Sequence, residues 1–324
     1  MKLTIDCLLD HQAITLSKHS ALSRLLAMGQ IKTLDQTLEA LLCDQYDVPL
    51  DGDYPMAAIA AVADGLEVVA KAYWLRADPV HLRLQRDCFS LDEAVPLPLL
   101  SVHAEQMLES LNRHFALELN VASGEPEYQF FIGTSGAWYL RCQQHPRITT
   151  TLPSVAAGKN SHQFLPQGEG AVQLIALLNE VQMLLHDHPA NLAREAQGDE
   201  AVNSIWLSGG GFLPKLNGST NSEVLMSKSV LYQGLALWAN TPYQPLSENM
   251  ELILTNRAVR MQLVSSEDLD LLWFKPILVA LRAKKITQLT LNLGCYDQSL
   301  NVNIKSLDQY KFWRKAKPVQ HYLP

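Results

Sequence analysis

The sequence predicts an α/β fold of three layers, in which helices cover both faces of a sheet. Strand-like segments alternate with helix-like segments along much of the chain, which is typical of a sheet built through crossover helices. Hairpin-like pairs of strands in the middle and near the end of the chain indicate additional antiparallel elements. Together these two patterns favour a mixed α/β architecture over an all-helical or all-strand one.

The strand-like segments are short apolar runs or stretches in which apolar and polar residues alternate. Between two of them lies the sequence Gly-Thr-Ser-Gly at 133–136. It favours a hairpin, because glycine tolerates the positive φ of a tight turn. The predicted strands are residues 2–9, 73–76, 80–84, 128–132, 137–142, 204–208, 250–255, 260–264, 286–293 and 299–304.

The helix-like segments carry apolar residues at spacings of three and four. On the segment 169–186, the polar residues Asn179, Gln182 and His186 recur on one face. The predicted buried stripe of that segment consists of Val172, Ile175, Leu178, Val181 and Leu185. The predicted helices are residues 20–42, 56–71, 97–115, 169–186, 227–239 and 267–283, the last with a kink at Pro276.

The composition describes a globular protein. The chain has 324 residues, a formal net charge of −7, 48% hydrophobic and 18% charged residues. The acidic balance disfavours a nucleic-acid-binding protein, which usually carries a basic face. The five cysteines form no Cys-x-x-Cys motif, as expected for free thiols in a reducing compartment. No secretory signal and no apolar run of membrane-spanning length occurs, so we expect a cytoplasmic protein without a membrane partner.

The strongest candidate for a binding site follows the predicted helix that ends at His186. Pro189 suits the first position of a new helical turn, which places His188 at its N-cap. Asn191 and Arg194 can line one side of that turn, and an arginine beside free backbone N–H groups suits a carboxylate or phosphate. These residues equally fit a structural role, in which the histidines cap a helix and the arginine pairs with a nearby glutamate. The candidate ligand-binding residues here are His186, His188, Asn191 and Arg194.

Two further candidates lie beside predicted strands. Gly209, Gly210 and Gly211 follow the strand 204–208, where bare backbone N–H groups can cradle an anion; the alternative is a tight turn. Asp78 and His81 lie within Ala-Asp-Pro-Val-His-Leu, where polar groups at a strand end can face a cleft. A turn-forming role for the aspartate before proline is the structural alternative.

No motif predicts a metal site or a catalytic nucleophile. His186 and His188 are close in the sequence, but no third ligand follows at a metal-binding spacing. The motif Gly-x-Ser-x-Gly is absent, and no histidine lies between His188 and His321. We therefore predict no metal, no cofactor and no identifiable catalytic residue.

The chain resembles proteobacterial regulators of pathogenicity factors of the RpfE type. The resemblance is carried by residues 165–214, which include L-P-Q-G-E-G, H-D-H-P-A-N-L-A-R and S-I-W-L-S-G-G-G-F-L-P. Further matches are W-L-R-A-D-P-V-H-L at 74–82, W-F-K-P at 273–276 and L-T-L-N-L-G at 289–294. More distantly, residues 73–240 resemble cofactor-independent phosphoglycerate mutases of the alkaline phosphatase superfamily.

The resemblance to the mutases implies a fold, a domain arrangement and a ligand class. It implies an alkaline-phosphatase-like α/β core formed by residues 1–72 and 241–324. Residues 73–240 would then be the smaller α+β insertion that binds substrate in the mutases. The implied ligand is a phosphorylated or carboxylate metabolite, and His188, Asn191 and Arg194 fall on the matching His-Pro-x-Asn-x-x-Arg pattern.

The chain also departs from the mutase pattern. Those enzymes hold two metals with Asp and His residues near both chain ends and use a serine as phosphoryl acceptor. Here the N-terminal part has no Asp-Gly-x-Gly-Asp-like motif, and Leu-Pro-Ser-Val at 152–155 replaces a Pro-His-Asp run. Without a two-metal clamp, most of the stabilisation of a transferring phosphoryl group is missing.

Three functional hypotheses follow. The first is a non-catalytic regulatory protein that binds a small anionic metabolite or docks a protein partner. The second is a metal-dependent phosphoglycerate mutase, or a related phosphotransfer enzyme, with rearranged ligands such as Asp78, Asp297 or Asp308. The third is a scaffold that binds a partner through the aromatic tail near Trp313.

Overall fold

The structure is a computed structural model that describes residues 1–69, 71–86, 88–91, 96–116, 124–216, 222–264, 269–311 and 313–323. The strands are β1 (Lys2–Leu8), β2 (Gln30–Leu34), β3 (Tyr73–Val80), β4 (Leu82–Leu84), β5 (Phe89–Leu91), β6 (Tyr128–Ile132), β7 (Trp138–Cys142), β8 (Ile148–Thr149), β9 (Gln167–Gly168), β10 (Ser204–Gly211), β11 (Val224–Ser227), β12 (Tyr243–Pro245), β13 (Ala258–Leu263), β14 (Gln288–Cys295) and β15 (Gln298–Lys305). The helices are α1 (His11–Ile14), α2 (Ala21–Met28), α3 (Leu38–Gln45), α4 (Met56–Ala63), α5 (Ser101–Phe115), α6 (Pro153–Ala156), α7 (Ala171–His186), α8 (Pro189–Ala196), α9 (Val230–Trp238), α10 (Met250–Ile253) and α11 (Lys275–Arg282). Among the described helices, none combines the length and the apolar character needed to cross a lipid bilayer.

The chain forms two compact units. The first unit comprises Met1–Tyr46 and Asn217–Pro324, and the second unit comprises Asp47–Leu216. The resemblance to the mutases implies a substrate-binding insertion at residues 73–240. These boundaries stay a prediction.

The first unit is built on a seven-stranded sheet with the order β12-β11-β13-β1-β14-β15-β2. The strands from β12 to β14 are parallel, and β15 and β2 add antiparallel to one edge. Leu3, Ile5 and Cys7 of β1 pack into the core that contains α2 and α11. Asp6 points to the opposite face, where it meets Tyr232 of α9. Helices therefore cover both faces of this sheet, which confirms the predicted three-layer α/β class.

The second unit is built on a smaller, antiparallel sheet with the order β10-β3-β7-β6. The helices α5 and α7 pack on it through a continuous apolar core. The predicted hairpin is present as β6 and β7, with Gly136 at φ 84° in the connecting turn. This unit has the α+β character expected for the middle of the chain.

The predicted helix 20–42 is wrong, because this segment forms α2, β2 and α3. Side chains of Ser20 and Thr37 each accept a backbone N–H bond at the start of a helix, and α2 ends at Met28, with Gly29 as its C-cap. Between the two helices, β2 pairs with β15 along the edge of the sheet. Hydrogen bonds to a strand distant in the sequence thus override the helical leucine spacing.

Two segments of the C-terminal half also differ from their predictions. Residues 250–255, predicted as a strand, contain the helix α10, because Asn249 caps it by accepting a bond from the Glu251 N–H. The predicted helix 227–239 is preceded by β11 and begins only at Val230. A local cap thus favours a helix in residues 250–255. In the second segment, pairing with β13 keeps β11 extended, so the helix starts later than predicted.

Two long helices differ in detail from their predictions. The start of the predicted helix 267–283 lies partly outside the described residues. Asp270–Phe274 then forms a π-helical turn that continues into α11, with Pro276 in its first turn. On α7, Val172 was expected in the buried stripe but is 75% exposed. The buried residues of α7 are Leu174, Leu177, Leu178, Val181 and Leu185.

Candidate functional site

A polar cleft of about 370 Å³ lies in the second unit where the chain leaves β3 and meets the end of α8. We call it the polar cleft; its wall contains His81, Arg83, Arg194, Asp199 and Glu200. Residues 81 and 83 reach the same cleft because alternate side chains of an extended segment point to the same side. Two of the predicted site residues, His81 and Arg194, therefore converge on one cavity.

His81 is oriented in the polar cleft by one hydrogen bond. Its Nδ1 lies 2.7 Å from the carbonyl oxygen of Ala201. Because a carbonyl only accepts, Nδ1 carries the proton. The Nε2 atom is then the ring nitrogen that remains for another partner.

Arg83 forms the exposed charge of the polar cleft. Its Nη2 lies 2.6 Å from Glu200 Oε1, and both side chains are about half exposed, at 55% and 45%. The hydrogen bond from Arg83 lowers the pKa of the Glu200 carboxyl. Since exposed ion pairs contribute little net free energy, the pair between Arg83 and Glu200 is weak.

Arg194 is buried and holds the wall of the polar cleft in place. Its Nε donates to the carbonyl of Glu200 at 2.9 Å and its Nη1 to the carbonyl of Pro98 at 3.0 Å. The Asp199 carboxylate lies 4.0 Å from Nη1. The expected surface ion pair with a glutamate is absent among these contacts, because the Glu200 side chain pairs with Arg83 instead.

His188 and Asn191 bond within the fold. His188 caps α8, since its Nδ1 accepts the Ala190 N–H at 3.2 Å, and its Nε2 lies 2.9 Å from Ser110 Oγ. Burial lowers the pKa of the His188 imidazole. The Asn191 amide donates to the carbonyls of Leu185 and Val202 and accepts from the Val202 N–H. These contacts match the structural alternative for the two residues, and ligand binding by them stays a prediction.

Asp78 belongs to a polar chain across the β3–β7 pair. It forms an ion pair with Arg76, whose Nη1 lies 3.4 Å from Tyr139 Oη. Tyr139 in turn donates to the buried carboxylate of Asp64 at 2.9 Å. Asp78 is not among the described residues that line the polar cleft, and in the sheet it pairs with Trp206 of β10.

The three glycines lie inside β10, so the expectation that they follow the strand is wrong. A bulge separates Ser208 from Gly211 in the pairing with β3. The Gly209 N–H donates to Thr150 Oγ1 at 3.1 Å, and the Gly210 backbone bonds to the carboxylate of Asp53. A threonine hydroxyl and an internal carboxylate thus occupy two of the backbone N–H groups that we expected to face an external anion.

The remaining candidates are not among the described residues that line the polar cleft. His186 is the last residue of α7 and its side chain is 83% exposed, 3.9 Å from the Asp187 carboxylate. Asp297 lies in the turn between β14 and β15 of the first unit. Asp308 is paired with Lys311 at 2.6 Å in that unit.

The buried carboxylate of Asp6, near the end of β1, forms an ion pair with the guanidinium of Arg260. Asp6 accepts bonds from Arg260 Nε at 2.6 Å and Nη2 at 2.9 Å. Tyr232 Oη at 2.9 Å and Asn292 Nδ2 at 2.7 Å complete its partners. Burial opposes the charge of Arg260, but Asp6 raises the pKa of the guanidinium above its ordinary value.

The residues of the described ranges do not fit a two-metal centre. Among them, no group of three or more His, Cys, Asp or Glu side chains is arranged to hold a metal ion. The Asp6 carboxylate faces four donors of the protein itself, and a divalent cation requires oxygen or nitrogen lone pairs there instead. We therefore derive no chemical step through a metal.

Three important side chains are not among the predicted site residues: Arg83, Asp53 and Arg260. Arg83 was identifiable, because the alternation along 80–84 places it on the side of His81. Asp53 and Arg260 had no local signal, since their partners Thr150 and Asp6 are 97 and 254 residues away. Only the fold brings these groups together.

Comparison with known proteins places the similarity among phosphoglycerate mutases. No protein-family model matches the chain. Over 160 residues, 49% of the chain, it is 26% identical to a probable 2,3-bisphosphoglycerate-independent phosphoglycerate mutase of Geobacter sulfurreducens, of which it covers 38%. Over 99 residues, 30% of the chain, it is 31% identical to the corresponding mutase of Methanosarcina barkeri, of which it covers 25%. The chain thus spans less than half of the length of these curated relatives.

Solved structures similar to the chain include a cofactor-independent phosphoglycerate mutase from Thermoplasma acidophilum. It shares 14% identity with a TM-score of 0.39, over 94% of this chain and 89% of that one. The PH0037 protein from Pyrococcus horikoshii shares 12% identity with a TM-score of 0.48, over 94% and 87%. The sequence similarity supports the expected relationship to the cofactor-independent mutases.

Proposed function

We propose that this chain is a cytoplasmic, non-catalytic relative of the phosphoglycerate mutases that binds a small phosphorylated or carboxylate metabolite in the polar cleft. A regulatory role, like that implied by the resemblance to regulators of pathogenicity factors, is part of the proposal. The observation that carries it is the convergence of His81, Arg83 and Arg194 on one cavity.

The polar cleft is lined by two arginines and by the carboxylates Asp199 and Glu200, and its arginines support an anionic ligand. Arg83 offers a guanidinium at the surface. Because Nδ1 of His81 already carries a proton, Nε2 donates to an anion only in the imidazolium form of the ring. Arg194 adds a fixed positive charge behind them. A guanidinium binds carboxylate and phosphate through two parallel N–H bonds, which is a strong and directional contact.

The surroundings of Asp6 support the non-catalytic part of the proposal. Phosphoryl transfer by a two-metal mechanism needs carboxylates with free lone pairs facing a cation. Asp6 is fully buried, and its partners are Arg260, Tyr232 and Asn292. A guanidinium thereby takes the place at this carboxylate that a metal would need.

Isothermal titration calorimetry with 3-phosphoglycerate tests the binding proposal. We expect saturable binding that Arg83→Ala weakens about tenfold, since one charge-assisted pair is lost. Glu200→Gln should tighten binding, because it removes the carboxylate that competes for Arg83. The matched control is Arg113→Ala, an exposed arginine that pairs with Glu109 on α5.

The two arginine variants separate a specific site from general charge effects. Equal weakening by Arg83→Ala and Arg113→Ala would show that only net charge matters. The absence of saturable heat in the folded wild-type protein would also overturn the proposal.

The alternative is metal-dependent mutase chemistry with rearranged ligands, and the sequence similarity to mutases favours it. It requires carboxylates such as Asp78, Asp297 or Asp308 to bind a divalent cation. Stoichiometric manganese or zinc in the purified protein, measured by atomic emission, would support this alternative and contradict the proposal above.

A further inference from the structure

A second cavity, of about 300 Å³, lies in the second unit between α7 and β10. We call it the apolar cavity. Its walls include Ile175 and Leu178 of α7, Trp206 of β10 and Phe164 of the 3₁₀ turn Ser161–Phe164. A volume of this size is at the lower end of the range for small-molecule sites.

The apolar cavity and the polar cleft lie on opposite sides of the same strand. Leu82 of β4 lines the apolar cavity, whereas its neighbours His81 and Arg83 line the polar cleft. Successive side chains of a strand point to opposite faces, which explains the separation. The apolar cavity is therefore distinct from the site of the proposed anion.

The two cavities differ in charge. Among the described residues that line the apolar cavity there is no Asp, Glu, Lys or Arg. Placing a net charge against apolar walls without a counter-ion costs free energy. The lining thus favours an uncharged ligand.

Polar side chains line part of the apolar cavity. Asn179 of α7 and His162 of the 3₁₀ turn are among them, and both residues are exposed, so their polar groups are accessible to a ligand. The Gln182 amide makes one long bond, 3.4 Å, to Ser204 Oγ. Asn179 and Gln182 are three residues apart, so their carboxamides lie on one face of α7.

We propose that the apolar cavity binds a small uncharged molecule with an apolar body and an amide, carbonyl or hydroxyl end. The body contacts Ile175, Leu178 and Trp206, and the polar end bonds to the carboxamides of Asn179 and Gln182. Apolar walls with a few convergent polar groups are the general composition of small-molecule sites. Binding at this site is independent of the anion site in the polar cleft.

Two isosteric probes, 1-naphthamide and 1-naphthoate, test the proposal on the full chain by isothermal titration calorimetry. We expect saturable one-to-one binding of 1-naphthamide and about tenfold weaker binding of 1-naphthoate, because the carboxylate finds no cation there. Asn179→Ala should weaken 1-naphthamide about threefold or more through the lost hydrogen bond.

Cavity filling provides the decisive comparison. Ile175→Trp should weaken 1-naphthamide at least about tenfold by occupying the space, with a melting temperature that shows the fold to be intact. Met183→Ala is the control, since Met183 is 79% exposed on the same helix. The proposal is overturned by non-saturable binding, by equal affinities of the two probes, or by unchanged binding to a folded Ile175→Trp variant.

Discussion

His188 is a cap whose hydrogen bonds depend on its protonation state. Nδ1 must be unprotonated to accept the Ala190 N–H, so Nε2 carries the proton and donates to Ser110 Oγ. Burial lowers the pKa of this imidazole below 6.5. Protonation would therefore remove the cap of α8.

We expect the stability of the protein to fall in mildly acidic solution because of His188. With a folded-state pKa below 6.5, its contribution is present above that pH and is lost as the pH falls towards the lowered value. His188→Asn keeps an acceptor at the N-cap and removes the titration. Urea unfolding at pH 7.5 and 5.5 should show a smaller loss of the free energy of unfolding in the variant. The same loss in both proteins would contradict this account.

Local sequence predicts some of these residue roles and misses others. The capping position of His188 follows from Pro189, because proline suits the first helical position. Asn191 bonds to Val202, 11 residues further along the chain, and Arg194 bonds to Pro98, 96 residues before it. No spacing rule reveals such contacts, so a structural role for these side chains could be stated only as an alternative.

At the scale of elements, β10 depends on glycine for close packing. A Cβ on Gly211 would lie 2.7 Å from Pro55 Cα and 2.5 Å from its Cβ. A Cβ on Gly210 would lie 2.4 Å from the Oη of Tyr73. The loop before α4 therefore approaches this strand only where side chains are missing.

Gly211→Ala should destabilise the protein by about 1–3 kcal/mol, because backbone has to move to relieve the clash. Gly198→Ala is the comparison: its φ is 86° and nothing lies within 4 Å of the added Cβ, so only a backbone cost of about 1 kcal/mol arises. Urea denaturation measures both values. A neutral effect of Gly211→Ala would show that the loop does not need this approach.

Element type was predictable where the local pattern and the tertiary contacts agree. The hairpin β6–β7 and the helix α7 are such cases, with a turn sequence and a strong apolar period. The segment 20–42 fails because β2 gains its hydrogen bonds from β15, which no local pattern shows. The residues 250–255 fail because the apolar run also suits a short capped helix.

At the scale of the whole molecule, the parallel sheet of the first unit is organised around a buried ion pair. Asp6 and Arg260 lie on the adjacent strands β1 and β13 and are almost completely inaccessible to solvent. Asn292 on β14 bonds to the same carboxylate. The pair therefore links the three central strands through their side chains.

Asp6→Asn should destabilise the protein by about 3–5 kcal/mol, because it leaves the charge of Arg260 buried without its partner. The double variant Asp6→Leu/Arg260→Met should recover part of this loss, since it removes both charges. Glu109→Gln, which breaks an exposed pair with Arg113, serves as a control with an effect below about 1 kcal/mol. If Asp6→Asn proves as mild as this control in urea unfolding, the buried pair is not a central element of the fold.

We propose that a mutase-like scaffold binds an anionic metabolite without converting it. The most direct measurement is ³¹P NMR of 3-phosphoglycerate incubated with the protein and Mn²⁺, recorded after the metal is chelated. We expect the 3-phosphoglycerate resonance alone at every time point. A 2-phosphoglycerate resonance that grows with time and requires Mn²⁺ would contradict the claim.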